Sequence, residues 1–340
     1  MKTYLSRAMA CVALVTLLLP ISAAAAFSKM YVFGDSLSDS GNAYNIVQND
    51  SGQVFPPPPN NQRNSNGLVA VEYLAQNLGL PLQPSYTGGT NYAVSGAMTG
   101  LRSDGTVNTE NYAYAAYGGA FGTSALQFGT SLLSQISQFS LSAPSVDPSS
   151  ALFVVWAGAN DFFFDPRVET LISAVDNIAQ AITALAGSGA RRFLLPGLPD
   201  LSLTPGIMAA DAADPGAGIA AGYHDLSLGF NDALENFLIP SLEALGLDIT
   251  YFDIDAALHR VLNDPGAYGI TNVTEGCLVL FVSVCSNPDE YLFWDSVHPT
   301  DRIYHILGDQ FAAAVPEPET LAIVTLGLVI LAAFRRRSKP

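Results

Sequence analysis

Residues 31–42 read Tyr-Val-Phe-Gly-Asp-Ser-Leu-Ser-Asp-Ser-Gly-Asn. Tyr31, Val32 and Phe33 make a short apolar strand, and the polar run that follows is a turn leading into a helix. A strand-to-helix junction of this kind sits at the carboxyl edge of a sheet. It brings Ser36 there with its own backbone N–H among the unpaired donors at the helix start. One residue can then both attack a substrate and help hold the oxyanion that results. Asp35, Ser36, Ser38 and Asp39 are also the usual residues of a capped turn, so this stretch alone leaves both readings open.

Further short apolar runs lie near residues 91–94, 152–156, 193–195 and 249–252. Longer helical patterns fill most intervals between them. Residues 168–186 carry Val168, Leu171, Ile172, Val175, Ile178, Ala179, Ile182 and Leu185 at helical spacing, the stripe of an amphipathic helix turned to a core. Strands interleaved with such helices predict an α/β protein: a central, mainly parallel five-stranded sheet covered on both faces, a three-layer α/β/α sandwich. Functional groups then belong at the carboxyl ends of the strands. Two stretches interrupt the pattern, 54–66 with Pro56 to Pro59 and many Asn, and 99–129 with many Tyr and Gly. Phe55, Tyr112, Tyr114, Tyr117 and Phe121 in these stretches are candidates for an apolar rim around a site.

The ends of the chain carry addresses. Lys2 and Arg7, an apolar stretch over 8–21 and the small residues 22–26 make a secretory signal peptide, residues 1–26. At the other end Val315-Pro316-Glu317-Pro318-Glu319 precedes an apolar run, 321–334, and the basic group Arg335-Arg336-Arg337-Ser338-Lys339. As a helix that run rises about 21 Å, short of the roughly 30 Å hydrocarbon core, which suits transient membrane anchoring. The basic group stays in the cytoplasm, which puts everything before Pro316 outside the inner membrane. Between the ends, residues 27–314 are read as one domain, and with 49% hydrophobic residues in the chain it can bury a sizeable core. Net charge is −16, and the two ends hold six of the fourteen basic residues, so the domain is more acidic still. Nucleic acid is excluded as a partner on that ground, and bare anionic lipid headgroups repel such a surface unless divalent cations or an apolar rim offset the charge. Cys11 leaves with the signal peptide, and Cys277 and Cys285 are expected to pair in an oxidising compartment. The four histidines form no metal-ligand cluster, so no metal is expected.

Three further blocks carry chemistry. Asn160 follows the strand near 152–156 and stands at the same sheet edge as Ser36, where its amide can donate to an oxyanion. Gly96 closes the strand near 91–94, and its backbone N–H can approach a substrate oxygen closely. Trp294-Asp295-Ser296-Val297-His298-Pro299 sets a carboxylate three residues before an imidazole. Asp295 can fix the tautomer of His298, and His298 can take the proton of Ser36. Singly, each is a common turn or cap feature, and His224, His259 and His305 lack such a partner.

Together these blocks resemble the GDSL type of the SGNH hydrolase superfamily: Gly34-Asp35-Ser36-Leu37, then Gly96, then Gly158-Ala159-Asn160-Asp161, then Asp295-Ser296-Val297-His298, in that order over residues 30–311. The resemblance implies a flavodoxin-like fold, a catalytic triad of Ser36, Asp295 and His298, an oxyanion hole of Ser36, Gly96 and Asn160, and no cofactor. Many relatives have two glycines where this chain has Ser95-Gly96, which leaves either residue as the backbone donor. Asp39, Gly41, Asn42 and Arg63-Asn64-Ser65-Asn66-Gly67 resemble the branch of secreted lipases, lecithinases and acyltransferases, implying acyl-ester, lipid-like substrates and possible acyl transfer. No Gly-x-Ser-x-Gly elbow occurs elsewhere to compete with Ser36. The tail, 315–340, resembles the PEP-CTERM sorting signal of Gram-negative bacteria that make exopolysaccharide, implying removal by a sorting protease and delivery to the cell surface or matrix. An exopolysaccharide O-deacetylase and a non-catalytic matrix protein are the alternatives. Oligomeric state is open.

Overall fold

Strand β1 (Met30–Gly34) is apolar along its length because both of its faces are covered, and every residue in it is buried. In this computed structural model, residues 27–60, 62–142 and 147–315 are described. The signal peptide expected over 1–26 and residues 316–340 of the expected sorting tail lie outside the described residues. The chain after β1 continues through helix α1 (Ala70–Asn77), the antiparallel hairpin β2 (Ala97–Ser103) and β3 (Asn108–Asn111), and helix α2 (Leu132–Leu141). Then come β4 (Leu152–Trp156), α3 (Val168–Gly187), β5 (Arg192–Pro196), α4 (Ile219–Ala233), β6 (Asp248–Phe252) and, last, α5 (Asp301–Ala314).

The central sheet has the order β1-β4-β5-β6, and every pairing in it is parallel. Side chains alternate across it. Tyr31, Phe33, Phe153, Val155 and Phe193 face a core built with Ile136 and Phe139 of α2, Ile178 and Ile182 of α3, and Phe230 of α4. On the other face Trp156 and Phe252 meet Phe311 of α5, with ring centroids 5.6 and 4.8 Å apart. The result is the expected three-layer α/β/α sandwich.

The expected fifth strand needs correction. Residues 91–94 run beside β1 in parallel, with Tyr92 N–H donating to Val32 O at 2.7 Å and Val94 N–H to Gly34 O at 3.1 Å, yet only Val32 and Asn91 bridge. The Asn42 amide donates to the Asn91 and Ala93 carbonyls at 2.7 and 2.8 Å. On its outer edge Ser85 N–H donates to Asn91 O at 2.6 Å and Asn91 N–H to Gln83 O at 3.0 Å, so backbone pairs at residue 91 and the Asn42 side chain takes over at Ala93. The sheet is four regular strands with this segment outside β1, and the first crossover reverses direction between β1 and β4. In parallel sheets that reversal opens a crevice at the carboxyl ends, where ligands bind.

The amphipathic helix expected over 168–186 is α3, but its core stripe begins later than read: Val168 and Ile172 are 62% and 55% exposed, and burial starts with Thr170 and Ala174. Residues 54–66 hold no helix or strand among those described, whereas 99–129 contain most of the β2–β3 hairpin, the helix Tyr112–Tyr117 and the 3-10 segment Ala120–Leu126. Cys277 and Cys285 are disulfide-bonded. Among the described residues no helix is long and apolar enough to cross a membrane.

Candidate active site

At the end of β1 the chain leaves the sheet against the backbone of β4. A Cβ on Gly34 would stand 2.0 Å from the Trp156 carbonyl oxygen, and its φ is +153°, so only glycine fits. Gln135 of α2 clamps this point from both sides: Gly34 N–H donates to Oε1 at 2.9 Å, and Nε2 donates to Gly34 O at 2.7 Å. Asp35 Oδ1 then accepts from Leu37 N–H at 3.0 Å, and Asp39 Oδ1 accepts from Gly41 and Asn42 N–H at 2.7 and 2.6 Å. The stretch is therefore a capped turn and a mount for Ser36 at once.

Ser36 Oγ lies 2.8 Å from His298 Nε2, and His298 Nδ1 lies 2.9 and 3.0 Å from the two oxygens of Asp295. A carboxylate only accepts, so Nδ1–H donates to it. The free Nε2 lone pair then accepts from the serine hydroxyl. Asp295 Oδ1 also accepts from the backbone N–H groups of Val297 and His298 at 2.9 and 2.8 Å, which curls the loop so that the i and i+3 side chains meet. Burial alone would raise the Asp295 carboxyl, but the adjacent imidazolium and these N–H groups hold it below its ordinary value. Burial likewise opposes charge on His298, yet Asp295, with a smaller contribution from Asp35, leaves it above the ordinary histidine value. The loop is pinned at its far end: Asp301 N–H donates to Asn66 Oδ1 at 2.8 Å, while Leu68 N–H and Tyr73 O–H donate to Asp301 Oδ1 at 2.8 and 2.7 Å.

Of the two backbone donors left open by the sequence, Ser95 N–H is occupied, donating to Asp39 Oδ2 at 2.8 Å. The Gly96 and Ser36 N–H groups have no partner among the described residues, and both residues line the cavity above them. Gly96 has φ +80°, and a Cβ there would stand 2.4 Å from Asn111 Oδ1. Asn160, in the helix Ala159–Phe164, also faces the cavity, but its Nδ2 already donates to Asp35 Oδ2 at 3.2 Å and to Ala97 O at 3.1 Å. Both amide hydrogens are engaged, so one of these bonds must yield before Asn160 can serve an oxyanion. The neighbouring Asp161 ties this helix to β2 through Arg102 at 2.7 Å and Thr99 at 2.8 Å.

Asp35 is the residue that the sequence reading passed over. It is 1% exposed, and burial pushes its carboxyl up to about 7 against the bonds from Leu37 and Asn160 and the charge of His298. A folded-state pKa above the unfolded value means that the folded chain binds the extra proton between pH 4 and 7, so stability is lost as pH rises through that window. A rise from 3.8 to about 7 corresponds to roughly 4 kcal/mol. Asp35→Asn recovers part of this, since an amide has one acceptor oxygen where the carboxylate has two. The variant is expected to gain about 2 kcal/mol in urea unfolding at pH 8 and nothing near pH 4. It also moves the acid limb of any His298-dependent activity to lower pH, because a negative charge facing the imidazole is gone. Equal stability gains at both pH values would contradict the assignment.

The cavity holds about 290 Å³ and takes in Ser36, Gly96, Asn160, Asp295 and His298 on one side. Leu201, Leu203, Leu258, Leu262, Leu292 and Leu307 supply an apolar wall. Phe55, Tyr112 and Tyr117 of the expected rim line it, while Tyr114 and Phe121 do not. A second pair, His224 Nδ1 and Asp200 Oδ2 at 2.7 Å, has no hydroxyl bonded to it among the described residues.

A family profile described as GDSL-like Lipase/Acylhydrolase matches residues 30–311, and one described as PEP-CTERM protein-sorting motif matches residues 314–337. The chain is 28% identical over 338 residues to a GDSL esterase/lipase of Arabidopsis thaliana, covering 84% of this chain and 85% of that one. It is 30% identical over 335 residues to acetylajmalan esterase 2 of Rauvolfia serpentina, covering 83% and 88%. Among solved structures, a member of the lipolytic protein G-D-S-L family from Veillonella parvula aligns over 84% of this chain and 96% of its own, at 12% identity and a TM-score of 0.38.

Proposed function

The chain belongs to the GDSL-like lipase/acylhydrolase family and is an ester-hydrolysing serine hydrolase, and we propose that it is exported and acts on lipid-like acyl esters through an acyl-enzyme on Ser36. The observation that carries this reading is the 2.8 Å bond from Ser36 Oγ to His298 Nε2 at the foot of an apolar-walled cavity. Ser36 attacks the ester carbonyl as its proton passes to Nε2, and Asp295 stabilises the imidazolium. The oxyanion is held by the N–H groups of Ser36 and Gly96, joined by Asn160 once it releases Asp35 or Ala97. Collapse expels the alcohol with the proton from Nε2. Water, deprotonated by the same nitrogen, then frees the acid, and an acceptor alcohol in its stead gives acyl transfer.

Leucines on the cavity wall support an acyl chain over a sugar ring, which favours the lipid reading over the exopolysaccharide O-deacetylase. The sorting motif supports export to the surface of a Gram-negative cell, with a membrane-bound sorting protease as partner and the tail as a transient anchor. Residues 27–314 are then the hydrolase domain of the processed protein. Purified chain assayed on p-nitrophenyl esters of two to sixteen carbons, on phosphatidylcholine and on acetylated polysaccharide tests the substrate. Turnover is expected to rise from acetyl to medium chains by at least tenfold. A preference for acetyl groups, with polysaccharide the best substrate, would overturn the lipid reading.

A further inference from the structure

The disulfide closes a nine-residue segment, 277–285, whose strands Leu278–Val279 and Ser283–Val284 pair antiparallel and lift Leu280, Phe281 and Val282 at their tip. Phe281 is 72% exposed, Val282 79% and Val279 50%, although burying such side chains is the usual course. The hairpin is not a loose tip. Its base bonds to the strand that leads into Asp295, with Cys277 N–H donating to Phe293 O at 3.1 Å and Leu278 N–H to Trp294 O at 2.6 Å. From the tip a ladder of rings descends to the cavity: Phe281 stacks on Phe121 at 5.5 Å, Phe121 meets Tyr117 at 5.6 Å, and Tyr117 meets Phe55 at 5.9 Å. Tyr117 and Phe55 line the cavity with Ser36. A continuous ladder of rings, exposed at Phe281 and Tyr117 and buried at Phe55, thus links the tip to the candidate active site.

Charge singles out the same surface. In a chain with 44 acidic and basic residues, none falls between Asp50 and Arg63, between Glu110 and Asp147, or between Glu275 and Asp289. These three windows hold the whole ladder. An apolar, uncharged tip on a strongly acidic protein suits a surface that is apolar beneath and neutral on top, and is disfavoured on an anionic one.

We propose that the 277–285 hairpin and the Phe121–Tyr117 rim dock on a zwitterionic lipid surface, setting the cavity mouth where an acyl ester can pass into it without crossing water. The proposal rests on the ester-hydrolase reading and adds a partner to it. Full-length protein, mixed with phosphatidylcholine vesicles and followed by amide hydrogen exchange, is expected to show at least threefold slower exchange over 278–284 and 117–122. Phosphatidylglycerol vesicles are expected to give less protection. Phe281→Asn, a residue that tolerates the left-handed backbone found there (φ +62°), combined with Val282→Ser, removes the apolar tip without touching the cavity. That variant is expected to lose tenfold or more on a vesicle-borne ester and to keep its rate on soluble p-nitrophenyl butyrate, the latter also reporting an intact fold. Vesicle protection confined to the apolar tail, 321–334, overturns the proposal. So does protection of the hairpin that appears without lipid and grows with protein concentration, which would assign the surface to a second copy. An equal loss on both esters overturns it too. A wild type that docks but hydrolyses neither ester refutes the enzymatic reading and leaves the docking result standing.

Discussion

Ser36→Ala is expected to lower kcat/KM on short p-nitrophenyl esters by about 10⁴- to 10⁶-fold, with a melting temperature within about 2 °C of the parent chain. The size follows from the absence of a substitute: among the described residues no other hydroxyl bonds His298 Nε2. On the proposed mechanism, what remains is the catalysis that the oxyanion donors and substrate positioning supply without a nucleophile. Stability is spared because the turn is held by groups other than the hydroxyl, namely Asp35 and Asp39 accepting backbone N–H groups and Gln135 gripping Gly34. The alanine also leaves His298 Nε2 facing a cavity open to water, so no buried acceptor is stranded. Steady-state kinetics and a thermal melt check both halves. A variant within a hundredfold of the parent would remove Ser36 from the chemistry.

Asp295→Asn is expected to cost on the order of 10⁴ in kcat, nearly as much, for a different reason. The asparagine oxygen can still accept from Val297 and His298 N–H, so the loop keeps its shape. Its NH₂ then faces His298 Nδ1, which must become the acceptor, and the ring proton moves to Nε2. Ser36 now meets a donor where it needs a base. Nitrogen NMR of the imidazole should report the exchanged tautomer alongside the lost rate. Loss of rate with the original tautomer retained would point to collapse of the loop instead.

Residues that line the cavity were legible in the sequence, because each sits where a strand runs out and carries a functional group that a turn alone does not require. Ser36, Asn160 and His298 came from such positions, and the structure gathers them around one cavity. Groups that hold them there were not legible. Gln135 reads as an ordinary polar residue of an amphipathic helix, and nothing local says that it clamps Gly34 from 101 residues away. Asp35 reads as part of a cap, since burial and the reach to Asn160 are tertiary facts. The edge segment 91–94 has the composition of a strand, but that its outer carbonyls meet the Asn42 amide, with a backbone partner only at Asn91, depends on a residue some fifty positions earlier. The hairpin at 277–285 announced its disulfide but not its exposure, because an apolar run reads the same whether it ends inside the core or at its surface.

The bond that joins nucleophile to base also spans 262 positions of chain. A polypeptide is made from its amino end, so Ser36 emerges early while His298 emerges among the last tenth or so of the described residues. Even then His298 is fixed only when α5 docks on α1. Until that final helix seats, the chain carries a serine without His298 beside it and a cavity without its Leu307 wall. An ester hydrolase built this way stays inert through its own synthesis, and its activity becomes a report that the whole domain has finished folding.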